Sequence, residues 1–145
     1  MINNSKEYTI VVVGRTGAGK SYICNKLAGE ECFKTSNAVY SETLEPQCKV
    51  IPIKRNSLTY SIKIVDTPGI GDNRVDESTK EPYTTKIFRN IFGFIKTLQG
   101  GFNVGVLCIN ANKPRVDAEE LRDLENLGRI LGNDVFDHMV IALTQ

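Results

Sequence analysis

A glycine-rich stretch near the start of the 145-residue chain has the residue types and spacing that bind phosphate groups. Gly14, Gly19, Lys20 and Ser21 occupy the fixed positions of the pattern G-x-x-x-x-G-K-[ST]. Gly17 is a third glycine in the same stretch. Glycines let successive backbone N–H groups turn inward around the oxygens of a dense anion. The Lys20 ammonium would reach the terminal phosphates, and the Ser21 hydroxyl suits Mg²⁺. The stretch therefore predicts a site for a polyphosphate with Mg²⁺.

The residues on either side of this stretch predict the elements that must position it. Residues 9–13 are β-branched and mostly apolar, which is typical of a strand buried on both faces. Residues 23–27 continue at helical spacing, and Gly29 is a suitable helix stop. A helix that begins near Lys20 would add the positive end of its dipole. Because a chance glycine-rich turn would lack this context, we favour a phosphate-binding loop.

A second acid and glycine follow a segment of alternating apolar and polar residues. Residues 58–66 have the period of a strand and end at Asp66, and Gly69 follows in the run Asp-Thr-Pro-Gly. An acid at a strand end holds Mg²⁺ in phosphate-binding loop proteins, usually through water. The backbone N–H of Gly69 could approach the terminal phosphate closely. Alone, this run is equally a good turn, but its place after a strand makes it the second half of one site.

The composition is that of an ordinary soluble globular domain. Hydrophobic residues make up 41% and charged residues 24% of the chain, so we expect a sizeable core. The net charge of +1 gives no reason to expect a nucleic acid or an anionic membrane as a partner. We find no export signal, no myristoylation glycine and no apolar run near the roughly 20 residues that span a bilayer. The four cysteines lack C-x-x-C spacing, so we expect a reducing, cytoplasmic setting, with Cys24 and Cys108 in the core.

The order of the elements predicts a three-layer α/β fold. Residues 48–53 have strand composition, but Pro52 cannot donate to a ladder, so we expect an edge strand paired antiparallel with residues 58–66. Residues 102–109 and 137–143 are predicted to be buried strands. Five strands and three main helices then form a mostly parallel sheet with one antiparallel edge strand. Ligands bind such sheets at the carboxyl ends of the strands.

Two later helices and two polar loops complete the pattern. The first helix is predicted from an apolar stripe made of Ile87, Ile91, Phe94, Ile95 and Leu98. Asp117 and Glu120 have capping-box spacing. The helix after them is expected to pack through Leu121, Leu124, Gly128 and Leu131, with Leu127 and Ile130 beside them. Residues 30–45 and 71–81 are polar and lack an apolar period, so we expect mobile loops.

Three segments resemble a known family. Residues 14–21, residues 66–69 and the stretch 127–144 are similar to the avirulence-induced-gene type GTPases. These are the immunity-associated GTPases, or GIMAPs, relatives of septins and of the chloroplast outer-envelope import GTPases. In the last stretch a helix, an acidic turn, an aromatic residue, His138 and a strand follow in the family's order. The resemblance covers nearly the whole chain and implies a P-loop NTPase of G-domain type that binds GTP or GDP with Mg²⁺.

The resemblance also implies roles for single residues. Thr43 lies where the family carries the threonine that closes on Mg²⁺ and the terminal phosphate, with Ser41 and Thr35 as alternatives. Arg115 resembles an arginine after the family's fourth strand, which would reach the partner's phosphates in a nucleotide-face homodimer. The other interpretation is an arginine that packs or pairs near the helix start. The predicted catalytic residues are Lys20, Thr43 and Arg115, and the predicted metal ligands are Ser21, Thr43 and Asp66. The predicted nucleotide contacts are Gly14, Arg15, Thr16, Gly17, Ala18, Gly19, Lys20, Ser21, Tyr22, Asp66 and Gly69.

One departure from the family concerns the base. The family's base-reading motif follows the strand that ends here at Thr144, so we expect residues 1–145 to be a single G domain that is incomplete at its C-terminus. Asn112-Lys113 begins like that motif, but Arg115 stands where its Asp would be and the preceding strand is one too early. Guanine preference then rests on resemblance alone.

Two classes of function compete. One is a slow Mg²⁺-dependent GTPase stimulated by dimerisation, since Ile70 and not a water-positioning glutamine follows Gly69. The other is a switch or scaffold, in which the nucleotide shapes the loops at 30–45 and 67–83 and hydrolysis is incidental. An ATP-binding protein of the same fold is a third interpretation.

Overall fold

The structure, a computed structural model, describes residues 6–35, 45–71, 74–113 and 115–145. These residues form five strands, three α-helices and one short 3-10 helix. The strands are β1 (Lys6–Gly14), β2 (Gln47–Arg55), β3 (Leu58–Asp66), β4 (Val104–Asn110) and β5 (Met139–Thr144). The helices are α1 (Lys20–Ala28), α2 (Tyr83–Thr97) and α3 (Ala118–Leu131), and the 3-10 helix is Asn133–His138.

The strands form one sheet in the order β2-β3-β1-β4-β5, which confirms the predicted mostly parallel architecture. β1 is parallel to β3 and β4, and β4 is parallel to β5. β2 is the antiparallel edge strand, as expected from Pro52, which lies opposite Ser61 of β3. The hairpin turns at Asn56 and Ser57, whose positive φ values match the twist of the strands. The carboxyl ends of the four parallel strands therefore meet at one edge.

Helices cover both faces of the sheet and make three layers. On one face α2 and α3 pack on a core that contains Val11, Val13, Val65, Ile87, Ile91, Leu107 and Leu127. On the other face α1 packs on a core that contains Val12, Cys24, Ile64, Val106 and Cys108. Successive residues of β1 thus enter opposite cores, as predicted for a strand buried on both faces. The expected burial of Cys24 and Cys108 is confirmed, and burial raises the pKa of the Cys108 thiol to about 11.

The helix ends follow signals that are local in the sequence. α1 stops at Gly29, which takes the left-handed conformation with φ of 74°. α2 begins directly after Pro82. α3 begins with the predicted capping box, because the Glu120 N–H donates to Asp117 Oδ1 (2.8 Å) and the Asp117 N–H donates to Glu120 Oε2 (3.1 Å).

The predicted face of α3 packs on the core except at its first residue. Gly128 and Leu127 are buried, and Leu124, Ile130 and Leu131 pack partly buried against the core, but Leu121 is 54% exposed. Asp123, which the apolar pattern did not include, is buried as well. A Cβ atom on Gly128 would lie 2.8 Å from Phe136 Cε2, so the 3-10 helix approaches α3 closely at this residue.

The prediction of a fully buried last strand was wrong. Three side chains of β5 are 54% to 70% exposed, namely Val140, Ile141 and Leu143. β5 pairs with β4 along one side, and within the described part of the chain no strand pairs with its other side. Apolar composition thus indicated a strand correctly but could not indicate its place in the sheet.

The second polar segment is more structured than its composition suggested. Val75 pairs with Pro82 in a short antiparallel bridge that closes the segment before α2. Between them, Asp76 accepts hydrogen bonds from the Ser78 N–H (2.9 Å), the Ser78 hydroxyl (2.6 Å) and the Thr79 N–H (3.1 Å). These bonds hold the pKa of the Asp76 carboxyl well below its usual value. An Asx turn therefore replaces the expected irregular loop at these residues.

Candidate nucleotide-binding site

The loop between β1 and α1 has the backbone that the glycine pattern predicts. β1 ends at Gly14, and α1 begins at Lys20. Gly17 and Gly19 both have φ of 78°, in the left-handed region that favours glycine. The loop lies at the carboxyl edge of the sheet, directly before a helix N-terminus. This is the arrangement that binds phosphate through backbone N–H groups and the helix dipole.

Lys20 is buried beside this loop, with 8% of its surface exposed. Its Nζ donates to the Arg15 carbonyl (3.0 Å). Burial lowers the pKa of Lys20 from its usual value, and the nearby Asp66 carboxyl opposes that shift. A buried ammonium with so few acceptors is costly unless an anion compensates it. The residue is therefore suited to a bound phosphate.

Ser21 and Asp66 meet beneath the loop, as the sequence predicted. The Ser21 hydroxyl donates to Asp66 Oδ2 (2.6 Å), and Asp66 Oδ1 is buried with no hydrogen-bond partner among the residues that the structure describes. Burial raises the pKa of Asp66, whereas the Ser21 hydrogen bond and the Lys20 charge lower it. A buried carboxylate oxygen without a partner, next to a hydroxyl, fits Mg²⁺, which prefers oxygen ligands. We call Thr16, Lys20, Ser21 and Asp66 the phosphate site.

The segment after β3 is hydrogen-bonded directly to the end of β1. The Thr67 hydroxyl donates to the Val12 carbonyl (2.7 Å), and the Ile70 N–H donates to the Gly14 carbonyl (3.1 Å). Ile70 is 2% exposed and belongs to the core. Its side chain therefore packs where a Ras-like GTPase would place a water-orienting glutamine.

Gly69 lies against Thr16 of the phosphate loop. A Cβ atom on Gly69 would be 2.6 Å from the Thr16 Cα, so a side chain there would force the two segments apart. Thr16 Oγ1 is buried in this contact without a hydrogen-bond partner. The structure thus brings Asp66 and Gly69 to the phosphate loop, which is the juxtaposition that the sequence predicted.

The Arg15 side chain contacts the start of α3. Its guanidinium forms ion pairs with Asp117 (3.4 Å), Glu119 (3.0 Å) and Asp123 (3.7 Å). Burial raises the pKa of Asp123, and the Arg15 charge opposes this. We call these four residues the α3 cluster. A contact between the Arg15 backbone and phosphate remains a prediction, but its guanidinium is engaged with carboxylates.

The sequence reasoning assigned no role to Thr144, the last residue of β5. Its buried hydroxyl lies 2.8 Å from the Ala18 carbonyl and 3.2 Å from the Ile109 carbonyl, within hydrogen-bonding distance of both. The side chain therefore holds the phosphate loop to the end of the sheet. The available signal was a polar residue at the carboxyl end of a parallel strand, which is where such sheets place their sites.

Five other predicted residues stay predictions. Thr43 and Ser41 lie outside the described residues. Thr35 is exposed beyond the end of α1. Tyr22 is 55% exposed, with the Lys26 Nζ 5.2 Å from its ring centre. Arg115 is exposed two residues before the N-cap of α3 and has no ion pair within the described ranges, which leaves both of its interpretations open.

Taken together, the parallel sheet, the glycine loop before a buried lysine and the serine–aspartate pair define a P-loop NTPase with the architecture of a G domain. The sequence matches the AIG1 family over residues 8–145, and the chain belongs to that family. This confirms the resemblance to the avirulence-induced-gene type GTPases.

Known relatives and structures agree with this assignment. Immune-associated nucleotide-binding protein 7 of Arabidopsis thaliana is 30% identical over 135 residues, which cover 93% of this chain and 40% of the plant protein. Toc33 from Arabidopsis thaliana, solved in complex with GDP and Mg²⁺, has a similar fold with a TM-score of 0.71 and 23% identity, over 98% of this chain and 52% of Toc33. A structure of the chloroplast translocon components atToc33 and psToc159, for whose GTPase activity dimerization is important, gives a TM-score of 0.75 at 22% identity, over 98% of this chain and 51% of that one. The chain thus spans less than half of the curated relative and about half of the solved chains.

In the described ranges, none of the helices has the length and apolar character needed to cross a bilayer.

Proposed function

We propose that this chain binds GTP and GDP with Mg²⁺ and hydrolyses GTP slowly to GDP and phosphate, so that the bound nucleotide acts as a switch. The observation that carries the proposal is the buried Asp66 Oδ1, which accepts no hydrogen bond within the described ranges although Ser21 and Lys20 lie near Asp66. Membership of the AIG1 family supports the proposal, as does the GDP and Mg²⁺ bound by the structurally similar Toc33.

The chain's own residues would divide the work as follows. Backbone N–H groups of the loop from Gly14 to Ser21 surround the phosphates, and the Lys20 ammonium stabilises charge that develops on the terminal one. Ser21 and Asp66, with Thr43 as the proposed third residue, would hold Mg²⁺, which neutralises the phosphate charge when bound. The N–H of Gly69 would approach the terminal phosphate as water attacks it.

Slow basal hydrolysis follows from the position after Gly69. Ile70 is part of the core and has no polar group to orient water. We therefore propose that turnover rises on homodimerisation through the nucleotide face, with Arg115 reaching the partner's phosphates. Arg115 is exposed and carries no ion pair in the described ranges, so it is available for this contact. The cytoplasmic setting is also part of the proposal, and imaging of the tagged protein would test it.

Competition binding tests the nucleotide directly. Fluorescent GDP bound to the protein is displaced with GTP, GDP or ATP, with Mg²⁺ present and absent. We expect guanine nucleotides to compete and Asp66→Asn to remove most of the gain in affinity that Mg²⁺ gives. The matched control is Asp137→Asn, an exposed aspartate before β5, which should behave like the wild type. Equal competition by ATP would favour the ATP-binding interpretation instead.

A second candidate is a nucleotide-dependent assembly protein with little hydrolysis. The buried Ile70 favours this candidate, because its side chain has no polar group that could orient the attacking water. Two measurements separate the candidates. Sedimentation is compared with GDP and with the non-hydrolysable analogue GMPPNP, and GTP turnover is measured over a range of protein concentrations. Assembly without concentration-dependent turnover would support the second candidate, and identical mass in both states would remove it.

A further inference from the structure

The guanidinium of Arg15 lies between the start of α3 and the segment that follows Asp66, and none of the proposed nucleotide contacts joins these two parts. On one side are the three carboxylates at the start of α3, at 3.0 to 3.7 Å. On the other side is Gly71, at the end of the segment that follows Asp66. A Cβ atom on Gly71 would lie 2.5 Å from Arg15 Nε and 2.8 Å from one of its terminal nitrogens. The Nε and Nη2 edge of the guanidinium thus occupies the space that a side chain at Gly71 would need.

The backbone beneath the guanidinium joins the phosphate loop to the same segment. Arg15 and Ile70 form a parallel bridge, with the Ile70 N–H on the Gly14 carbonyl (3.1 Å) and the Thr16 N–H on the Ile70 carbonyl (3.3 Å). One residue before Ile70, Gly69 lies in close contact with Thr16. Any movement of Gly69 toward a terminal phosphate would therefore have to displace Ile70, whose backbone pairs with Arg15, and Gly71, which lies against the guanidinium.

Two members of the α3 cluster are largely removed from solvent. The side chains of Arg15 and Asp123 are 17% and 11% exposed, and Asp123 Oδ2 is buried with no hydrogen bond from the described residues. The only cation within 4 Å of that carboxylate, in the described ranges, is Arg15. Because a buried charge needs its counter-charge, Asp123 restrains the guanidinium over Gly71.

We propose that Arg15 is a positioning residue, which clamps the Gly69–Gly71 backbone to α3 in the arrangement that receives a terminal phosphate. The inference rests on the proposed nucleotide function and deepens it. The clamp makes the affinity for a triphosphate depend on the α3 cluster, because the proposed partner of the Gly69 N–H is the terminal phosphate, which a diphosphate lacks. A diphosphate needs the phosphate loop alone and is bound independently of the clamp. By the same coupling, a bound triphosphate changes the start of α3, next to Arg115.

The test measures the affinities for GDP and GMPPNP in matched variants of the whole protein. Arg15→Lys keeps the charge but loses the planar fork that meets three carboxylates. Arg15→Met combined with Asp123→Asn removes the pair without leaving a buried charge alone, and so guards against misfolding. Lys63→Met is the control, because it removes another ion-paired cation, the partner of Glu7, from β3 (2.9 Å). Amide hydrogen exchange at residues 69–71 without nucleotide is the second readout.

We expect the double variant to lower the ratio of GMPPNP to GDP affinity by roughly five- to tenfold, with GDP affinity within about twofold of the wild type. The affinity ratio of Arg15→Lys should fall between those of the wild type and the double variant. Exchange at residues 69–71 should accelerate most in the double variant and stay unchanged in Lys63→Met. An equal loss for both nucleotides, an unchanged ratio or unchanged exchange would overturn the clamp. A wild type that binds no guanine nucleotide would remove the proposed function, and the exchange measurement would still decide whether Arg15 restrains the segment.

Discussion

Two polar clusters lie close together in this protein and are built on opposite principles. Within the described residues, the phosphate site contains a buried ammonium that donates to one carbonyl, and a carboxylate oxygen and a hydroxyl with no hydrogen-bond partner. The α3 cluster places one guanidinium among three carboxylates and adds a reciprocal capping box. The first leaves buried polar groups without partners, whereas in the second every carboxylate forms an ion pair with Arg15, although Asp123 Oδ2 accepts no hydrogen bond.

The difference separates binding from positioning. Uncompensated buried polar groups cost stability, and they persist where a ligand supplies the missing partners. A self-paired cluster gives geometry and needs no ligand. We therefore expect substitutions in the phosphate site to change ligand affinity most, and substitutions in the packing or the α3 cluster to change stability most.

The largest effect is expected at Lys20. Lys20→Met keeps the length and apolar body of the side chain but removes the charge. Nucleotide affinity should fall by about 3 kcal/mol, roughly a hundredfold in Kd, as for a lost charge-assisted hydrogen bond. Titration with fluorescent GDP measures the loss, and circular dichroism checks that the ligand-free protein keeps its fold. Lys96→Met, an exposed lysine of α2, is the control. Undiminished affinity in Lys20→Met would contradict the assignment of the site.

The next effect concerns the contact between the two nucleotide loops. Gly69→Ala places a methyl group 2.6 Å from the Thr16 Cα, so we expect a stability loss of about 1 to 3 kcal/mol together with weaker triphosphate binding. Urea unfolding measures the first. Gly93→Ala in α2 meets nothing within 4 Å and should instead stabilise the protein by about 0.5 to 1 kcal/mol. The same sign for both variants would show that Gly69 is not in close contact.

A smaller effect is expected at the junction of β5 and the phosphate loop. Thr144→Val removes a hydroxyl from a buried site beside the Ala18 and Ile109 carbonyls, and should cost about 1 to 2 kcal/mol. Thr144→Ser keeps the hydroxyl and should retain most of the stability. Denaturant midpoints of the two variants, compared with the wild type, give the answer. If serine is as harmful as valine, packing of the methyl group and not hydrogen bonding matters there.

The smallest effect is a pH dependence in the α3 cluster. The hydrogen bond from the Glu120 N–H, with help from Arg15, holds the pKa of Asp117 below its usual value. A carboxyl whose pKa is lower in the folded than in the unfolded protein stabilises the fold at pH values above its unfolded pKa. This stabilisation is lost as the pH falls through the folded pKa. Asp117→Asn keeps an N-cap but cannot titrate. The melting-temperature difference between wild type and variant should therefore shrink as the pH drops below 3.8. A difference that stays constant through that range would contradict the shift.

Sequence reasoning was most reliable where structure is local. The strand before Gly14, the helix stop at Gly29, the antiparallel hairpin with Pro52 at the sheet edge and the Asp117–Glu120 capping box all have the predicted form. Each of these depends on neighbours within a few residues, or on what proline and glycine backbones permit.

It was least reliable where distant segments decide the outcome. Leu121 is exposed against the prediction and Asp123 is buried, at the end of α3 where Arg15, more than 100 residues earlier in the chain, meets Asp117 and Glu119. Likewise, the apolar side chains of β5 are exposed because sheet position, and not composition, sets burial. Asp76 forms an Asx turn in the second polar segment, which was predicted as an irregular loop only because it lacks apolar periodicity.

By itself the sequence determined a phosphate-binding loop, its serine and lysine, and the acid and glycine after β3, since fixed spacings and backbone freedom need no distant partner. Only the tertiary structure decided that Gly69 meets Thr16, that Thr144 secures the loop and that Arg15 joins the segment after β3 to α3. These contacts arise between residues far apart in the chain, where parallel strands end at one edge of the sheet, and no local pattern records them.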